Sequence, residues 1–240
     1  MESIRGRRAL ITGASRGIGR AIAESLAAEG VDVALLARTE AASAETRSAC
    51  KKHKVKSIAL GADVTDSASL EQAIARGANE LGGLDLVITA AGVAWAGAVH
   101  RATTENWRGM LDVNLLGTME TARLSLPYLR GSSSPTFIFI GSVSSRFTYA
   151  GGAGYCASKH GLLGFAGALY EELRLQRIKV CTVCPGTVDT DMTRGVGLNF
   201  DRKALLTAED VAEAVLYVAH SSPRACPSEI LLRCHHPQYT

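Results

Sequence analysis

The sequence lacks any uninterrupted run of eighteen apolar residues, so no segment reads as a membrane-spanning helix. It also lacks a secretory signal, because the N-terminal MESIRGRRALITG passes from charged residues straight into a short apolar strand. The closing PQYT matches no retention or peroxisomal address. These absences lead us to expect a soluble, cytoplasmic protein with no membrane partner, organelle import staying open. An excess of one charge is missing too. The formal net charge is +3 and no Lys/Arg block forms a stripe, so nucleic acid is not an expected partner. The densest basic run, KKHKVK at 51–56, reads as the solvated end of a helix.

Nothing pairs the six scattered cysteines, Cys50, Cys156, Cys181, Cys184, Cys226 and Cys234, in a cytosolic chain of this kind. CTVC at 181–184 has C-x-x-C spacing, but it lies inside IKVCTVCPG, which reads as a buried strand ending in a turn. Redox pairs sit at helix starts, where the thiolate is stabilised. CHH at 234–236 offers three adjacent side chains that diverge, with no fourth ligand, so no metal is expected and the segment reads as a tail. Internal repeats and low-complexity segments are also absent; GSSSP at 131–135 is a short loop.

What is present is material for a large core: 47% of the 240 residues are apolar. Apolar or β-branched runs at 9–12, 31–37, 56–61, 84–89, 136–141, 179–184 and 229–233 read as strands covered on both faces. Amphipathic segments near 18–29, 40–52, 66–81, 103–129, 155–176 and 208–220 read as the helices between them. Gly30 is placed to end the first helix, and Thr207 with Asp210 to cap the last. The alternation predicts an α/β fold, one doubly wound parallel sheet of about seven strands with right-handed crossovers. Ligands of such sheets bind beyond the carboxyl ends of the strands.

After the first strand comes TGASRGIGRAIAESLA, in which Gly13, Gly17 and Gly19 punctuate a turn that opens a helix. Glycines let backbone approach a pyrophosphate closely, and the helix start offers free N–H groups. At the end of the second strand, where an NAD site places an acid on the ribose, the sequence has Ala37 and Arg38. Arg38, with Arg16 in the glycine turn, suits a 2′-phosphate and so NADP(H), because guanidinium groups make charge-assisted, often bidentate contacts with phosphate. Two exposed arginines on surface turns are the plainer alternative.

Further along, ADVTD (62–66), DVNLLGT (112–118), GSVSS (141–145), GYCASK (154–159) and PGTVDTDM (185–192) follow in order. Together with TGASRGIG they resemble the motifs of the short-chain dehydrogenase/reductase family in its single-domain, NADP-preferring form. The resemblance runs to about residue 220. It implies one Rossmann-type domain over residues 1–240 that holds both the cofactor and the substrate. It implies Asn114, Ser142, Tyr155 and Lys159 as catalytic residues, Ser142 standing thirteen residues before Tyr155. It extends the cofactor site to Ser15, Ile18, Asp63, Val64, Ala91, Gly92, Pro185, Gly186, Val188 and Thr190, with Tyr155 and Lys159 at the nicotinamide end. It implies a homodimer or homotetramer built on the helices at 103–129 and 155–176. Three departures stand out: Ala90 where the family has a second asparagine, Arg177 where a glycine is frequent, and SEILLRCHH in place of the usual closing segment.

Carbonyl reduction needs a hydride for carbon and a proton for oxygen. A free tyrosine has a pKa near ~10, and a lysine one helical turn away stabilises the tyrosinate and lowers it. Alone, a Tyr/Lys pair at i, i+4 is an ordinary helix surface. In the company of the other motifs, Tyr155 is the expected acid/base and Lys159 its electrostatic partner. Ser142 is expected to orient the carbonyl and share its developing charge, and Asn114 to position a relay water. The pocket is expected from Trp95, Phe147, Tyr149 and Met192, with Thr193–Leu206 as a candidate lid. The expected reaction is reduction of a small-molecule ketone or aldehyde to an alcohol, and the reverse. A 3-oxoacyl-thioester reductase is the enzymatic alternative, and a non-catalytic NADP sensor the alternative of another class.

Overall fold

The computed structural model of the protein describes residues 2–195 and 201–235. Strand β1 (Arg8–Thr12) leads through the glycine turn into α1 (Gly17–Ala28), then β2 (Asp32–Ala37), α2 (Ala44–Lys51) and β3 (Ser57–Gly61). Next come α3 (Ser67–Leu81), β4 (Leu86–Thr89) and a long helix in two parts, α4 (Thr104–Leu111) and α5 (Gly117–Leu129). A π turn at Asp112–Leu116 joins those two parts. The chain continues through β5 (Thr136–Ile140), α6 (Ala153–Leu173), β6 (Lys179–Pro185), the short α7 (Asp191–Gly195), α8 (Ala208–Ala219) and β7 (Glu229–Leu232).

All seven strands among the described residues pair in parallel, in the order β3-β2-β1-β4-β5-β6-β7. This is the doubly wound Rossmann arrangement, and its order reverses between β1 and β4, which opens a crevice at their carboxyl ends. The side-chain alternation of each strand feeds two cores. Ala9, Ile11, Ile138 and Ile140 face α1 and α8, whereas Leu10, Phe137 and Phe139 face α3, α5 and α6. Burial on both faces is why these strands read as unbroken apolar runs.

The local signals act as their chemistry requires. Gly30 takes φ +83° after α1 and donates to the Ala27 carbonyl at 2.9 Å. Thr207 Oγ1 accepts from the Asp210 amide at 3.2 Å, while Asp210 Oδ2 accepts from the Thr207 amide at 2.7 Å. The helix expected over 40–52 opens as a 3₁₀ turn at Glu40–Ser43, with Thr39 capping it. No helix among the described residues is long and apolar enough to cross a membrane.

Candidate active site

Three glycines shape the first turn by different constraints. Gly13 has φ +69°, and a Cβ there would stand 2.7 Å from the Ala91 amide nitrogen. Gly19 lies where a Cβ would meet the Gly13 carbonyl oxygen at 2.3 Å, so the first turn of α1 presses directly on the loop. Gly17 has φ +53° and faces Thr190 across the crevice. Thr12 Oγ1 accepts from the amides of Ala90 and Ala91, both at 3.2 Å, tying the turn after β4 to the end of β1. Arg16 occupies the N-cap of α1 without a side-chain cap, and no acid sits in the first turn. The leading amides of α1, with Ser15 half-buried beside them, can therefore serve an anion. The cradle fits a dinucleotide pyrophosphate.

The outer groups lie where the strand ends place them. Arg16 forms an exposed ion pair with Asp191 of α7 at 3.5 Å. Arg38 is exposed, and its charge helps hold the Asp63 carboxyl below the usual range, after the stronger effect of Thr65. Asp63 Oδ1 accepts from the Thr65 amide at 2.9 Å, and Val64 is buried beside it.

Ser142 follows β5 and begins a 3₁₀ turn, its Oγ accepting from the Ser144 amide at 3.1 Å. Its hydroxyl proton is thereby free to serve the Tyr155 oxygen, and this hydrogen bond opposes the effect of burial on the phenol. Burial still wins and pushes Tyr155 up to about 12. Lys159 lies one turn further along α6, its Nζ 5.9 Å from the Tyr155 ring centroid. Nζ donates to the Ile140 carbonyl at 2.9 Å, and burial pulls the ammonium from 10.5 down to about 8. Desolvation is the largest effect on both groups, raising the phenol and lowering the ammonium.

Asn114 lies buried within the π turn. Its Oδ1 accepts from the Val93 amide at 2.8 Å, and its Nδ2 donates to the Val93 carbonyl at 2.9 Å and to Ser158 Oγ at 3.1 Å. The side chain is therefore occupied in holding the loop after β4. A π turn adds one residue to a helix and turns a side chain out of register, a device found often at functional sites.

Ser142, Tyr155 and Lys159 share the wall of a cavity of about 640 Å³. Ile18, Gly92, Pro185, Gly186, Val188 and Thr190 line it on the side of the crevice. Phe147, Tyr149 and Met192 line it as expected, but Trp95 does not. Trp95 folds back over Gly97, where a Cβ would lie 2.6 Å from the indole, and the β4 loop sends Gly92 and Ala94 into the cavity instead. Residues 196–200 of the candidate lid lie outside the described residues. On either side of them, Arg194 and Arg202 both pair with Asp189.

The tail reading of CHH needs correction. Arg233, Cys234 and His235 line the cavity, because β7 runs parallel to β6 and delivers the chain to the carboxyl edge of the sheet. The amide of Gly186 donates to the Leu232 carbonyl at 2.7 Å and fixes that approach. A parallel last strand was itself the available signal, since whatever follows it must emerge at the ligand edge. His236 lies outside the described residues, and no group of side chains suited to a metal occurs among the described ones. Cys181 and Cys184 are buried free thiols, both pushed up by desolvation.

A parallel sheet with a glycine cradle at its switch point and a Ser–Tyr–Lys set on one wall of the adjoining cavity defines a dinucleotide-dependent type of oxidoreductase site. Sequence comparison agrees: the profile of the short chain dehydrogenase family matches residues 7–199. The chain belongs to that family of oxidoreductases. It is 34% identical over 236 residues to a 3-oxoacyl-[acyl-carrier-protein] reductase of Escherichia coli, covering 94% of this chain and 95% of the other. Carveol dehydrogenase from Mycobacterium avium, solved in complex with NAD, superposes with a TM-score of 0.90 at 26% identity, covering 98% of each chain. A short chain dehydrogenase from Burkholderia cenocepacia, solved in complex with NADP, superposes with a TM-score of 0.88 at 30% identity, covering 97% and 98%.

Proposed function

We propose that the protein reduces the carbonyl of a small-molecule ketone or aldehyde to an alcohol, and runs the reverse oxidation, with NADP(H). The observation that carries this reading is the Ser142 hydroxyl set against the Tyr155 oxygen on the cavity wall, with Lys159 one helical turn away. Bound NADPH supplies the hydride. Tyr155 delivers the proton to the carbonyl oxygen, and Ser142 donates a hydrogen bond to the charge that develops there. Lys159 keeps a cation under the phenol, and Ile140 holds that cation in place. Asn114 supports the set indirectly by fixing Val93.

The dinucleotide would rest its pyrophosphate on the Gly13–Gly19 turn and its adenosine near Asp63 and Val64. Solved relatives hold NAD in one case and NADP in another, so the choice rests on this chain's own residues. Arg38, in place of an acid after β2, favours the 2′-phosphate. Exposed Trp107, Leu111 and Leu116 on the α4 side support self-association through the expected helices.

A panel of diketones, aryl ketones and acetoacetyl thioesters with NADPH tests the reading. Tyr155→Phe should lower kcat by at least about a hundredfold, the range of a lost general acid. Equal turnover in that variant would sink the mechanism. Arg38→Ala should raise the KM for NADPH and leave that for NADH little changed. A second reading, a 3-oxoacyl-thioester reductase, draws support from the E. coli relative. Preference for acetoacetyl thioesters over every free ketone would establish it. Tight NADPH binding without turnover on any substrate would point to a sensor.

A further inference from the structure

The cavity carries one strongly charged group that proton transfer does not use. Arg233, the first residue after β7, lies on its wall with the guanidinium carbon 5.6 Å over the Phe147 ring centroid. It forms no hydrogen bond or ion pair among the described residues. Its neighbour Arg146 differs in this respect, since Arg146 is paired with Glu229. Among the described residues no Asp or Glu lines the cavity, and its other basic groups are Lys159 and His235. Phe147 belongs to the loop that starts at Ser142, so Arg233 stands against the loop that carries the reacting serine. The phosphates of a dinucleotide already have the amides of α1.

We propose that Arg233 is the specificity-determining residue for a substrate that carries a carboxylate near its carbonyl: an oxo acid in reduction, a hydroxy acid in oxidation. This rests on the carbonyl-reducing reading of the same cavity. An aromatic ring beneath a guanidinium attracts it by cation–π interaction and leaves its in-plane N–H donors for a carboxylate, which they can meet with two parallel hydrogen bonds. The acid is a spectator in the chemistry. One hydride from NADPH adds to the carbonyl carbon, one proton from Tyr155 adds to the oxygen, and the products are the hydroxy acid and NADP⁺. A thioester masks the carboxyl group and offers Arg233 no anion, so this residue separates free oxo acids from their thioesters.

The test compares acetoacetate, levulinate and 4-formylbenzoate, each with its methyl ester, at saturating NADPH in the wild type, Arg233→Gln and Arg233→Lys. The wild type should prefer at least one acid over its ester by about tenfold or more in kcat/KM, the scale of a charge-assisted pair. Arg233→Gln should erase that preference through KM, and Arg233→Lys should keep part of it. Raised ionic strength should shrink the preference, because the guanidinium is exposed. Absence of any acid preference overturns the proposal, as does an equal loss on acid and ester. So does a parallel loss of NADP⁺ affinity, which would assign Arg233 to the cofactor. If no carbonyl compound turns over, the parent reading fails instead. Calorimetric titration of the NADP⁺-loaded protein with 4-(hydroxymethyl)benzoate then decides: binding lost in Arg233→Gln upholds the carboxylate site, and unchanged or absent binding overturns it.

Discussion

At the scale of single residues, the backbone decides more than the side chains do. Arg177 ends the 3₁₀ turn after α6 with φ 58° and ψ 28°, in the left-handed region where a Cβ crowds the following carbonyl. Its side chain is exposed. Arg177→Gly should therefore stabilise the protein by about 1 kcal/mol, the relief of that crowding less the added freedom of glycine in the unfolded chain. Urea unfolding measures it, and an unchanged midpoint would contradict the argument. The sequence marked this position as a glycine replaced, but the sign of φ belongs to the folded turn. Gly13 and Gly19 show the same division. Their spacing was readable, whereas the close approach of Gly19 to the Gly13 carbonyl comes from how α1 packs on the turn.

At the scale of elements, the π turn and the last strand contribute what periodicity could not. Residues 103–129 read as one helix, and one extra residue in a turn leaves the apolar spacing almost intact, so the bulge at Asp112–Leu116 stayed invisible. Its effect is to set Asn114 between Val93 and Ser158. Asn114→Ala would strip the Val93 amide and carbonyl of their partners. We expect a loss of about 1–3 kcal/mol in urea unfolding, the net worth of two hydrogen bonds at a half-exposed loop. Asn114→Asp should not recover it at neutral pH, because a carboxylate oxygen would replace the Nδ2 donor against the Val93 carbonyl. The strand at 229–233 was legible as a strand of a parallel sheet, but its place beside β6 was not, and that place turns a tail into a cavity wall.

At the scale of the whole molecule, burying Lys159, the lysine proposed to assist Tyr155, under the sheet edge couples function to stability. Lys159 titrates near 8 when folded and at 10.5 in its ordinary state, so between those values the unfolded chain holds more protons. Stability from this group is therefore lowest below about pH 8 and rises as the pH climbs towards 10.5. Tyr155, raised to about 12, acts in the opposite direction above its ordinary 10, and the buried thiols Cys50, Cys181 and Cys184 do so above about 9, so the lysine is isolated by comparing the wild type with a variant that lacks it. Thermal unfolding across pH 7.5 to 9.5 should show the wild type gaining stability relative to Lys159→Met as the pH rises. That variant should also gain up to about 3 kcal/mol at pH 7, the linkage value of the shift, while losing turnover. A variant that unfolds earlier than the wild type at pH 7 would show that the Ile140 hydrogen bond outweighs desolvation.

The amino-acid sequence alone determined the alternation of strands and helices, the glycine cradle, the Thr207 cap and the Ser–Tyr–Lys spacing. Each is written in neighbouring residues: hydrophobic period, turn chemistry and the distance along one helix. The tertiary structure alone decided that Trp95 leaves the cavity and Arg233 enters it, that Asn114 serves Val93, and that burial outweighs the Ser142 hydrogen bond at the Tyr155 phenol. These outcomes depend on which segments the sheet brings to one edge and how much water they exclude there, and neither is a local property of the chain.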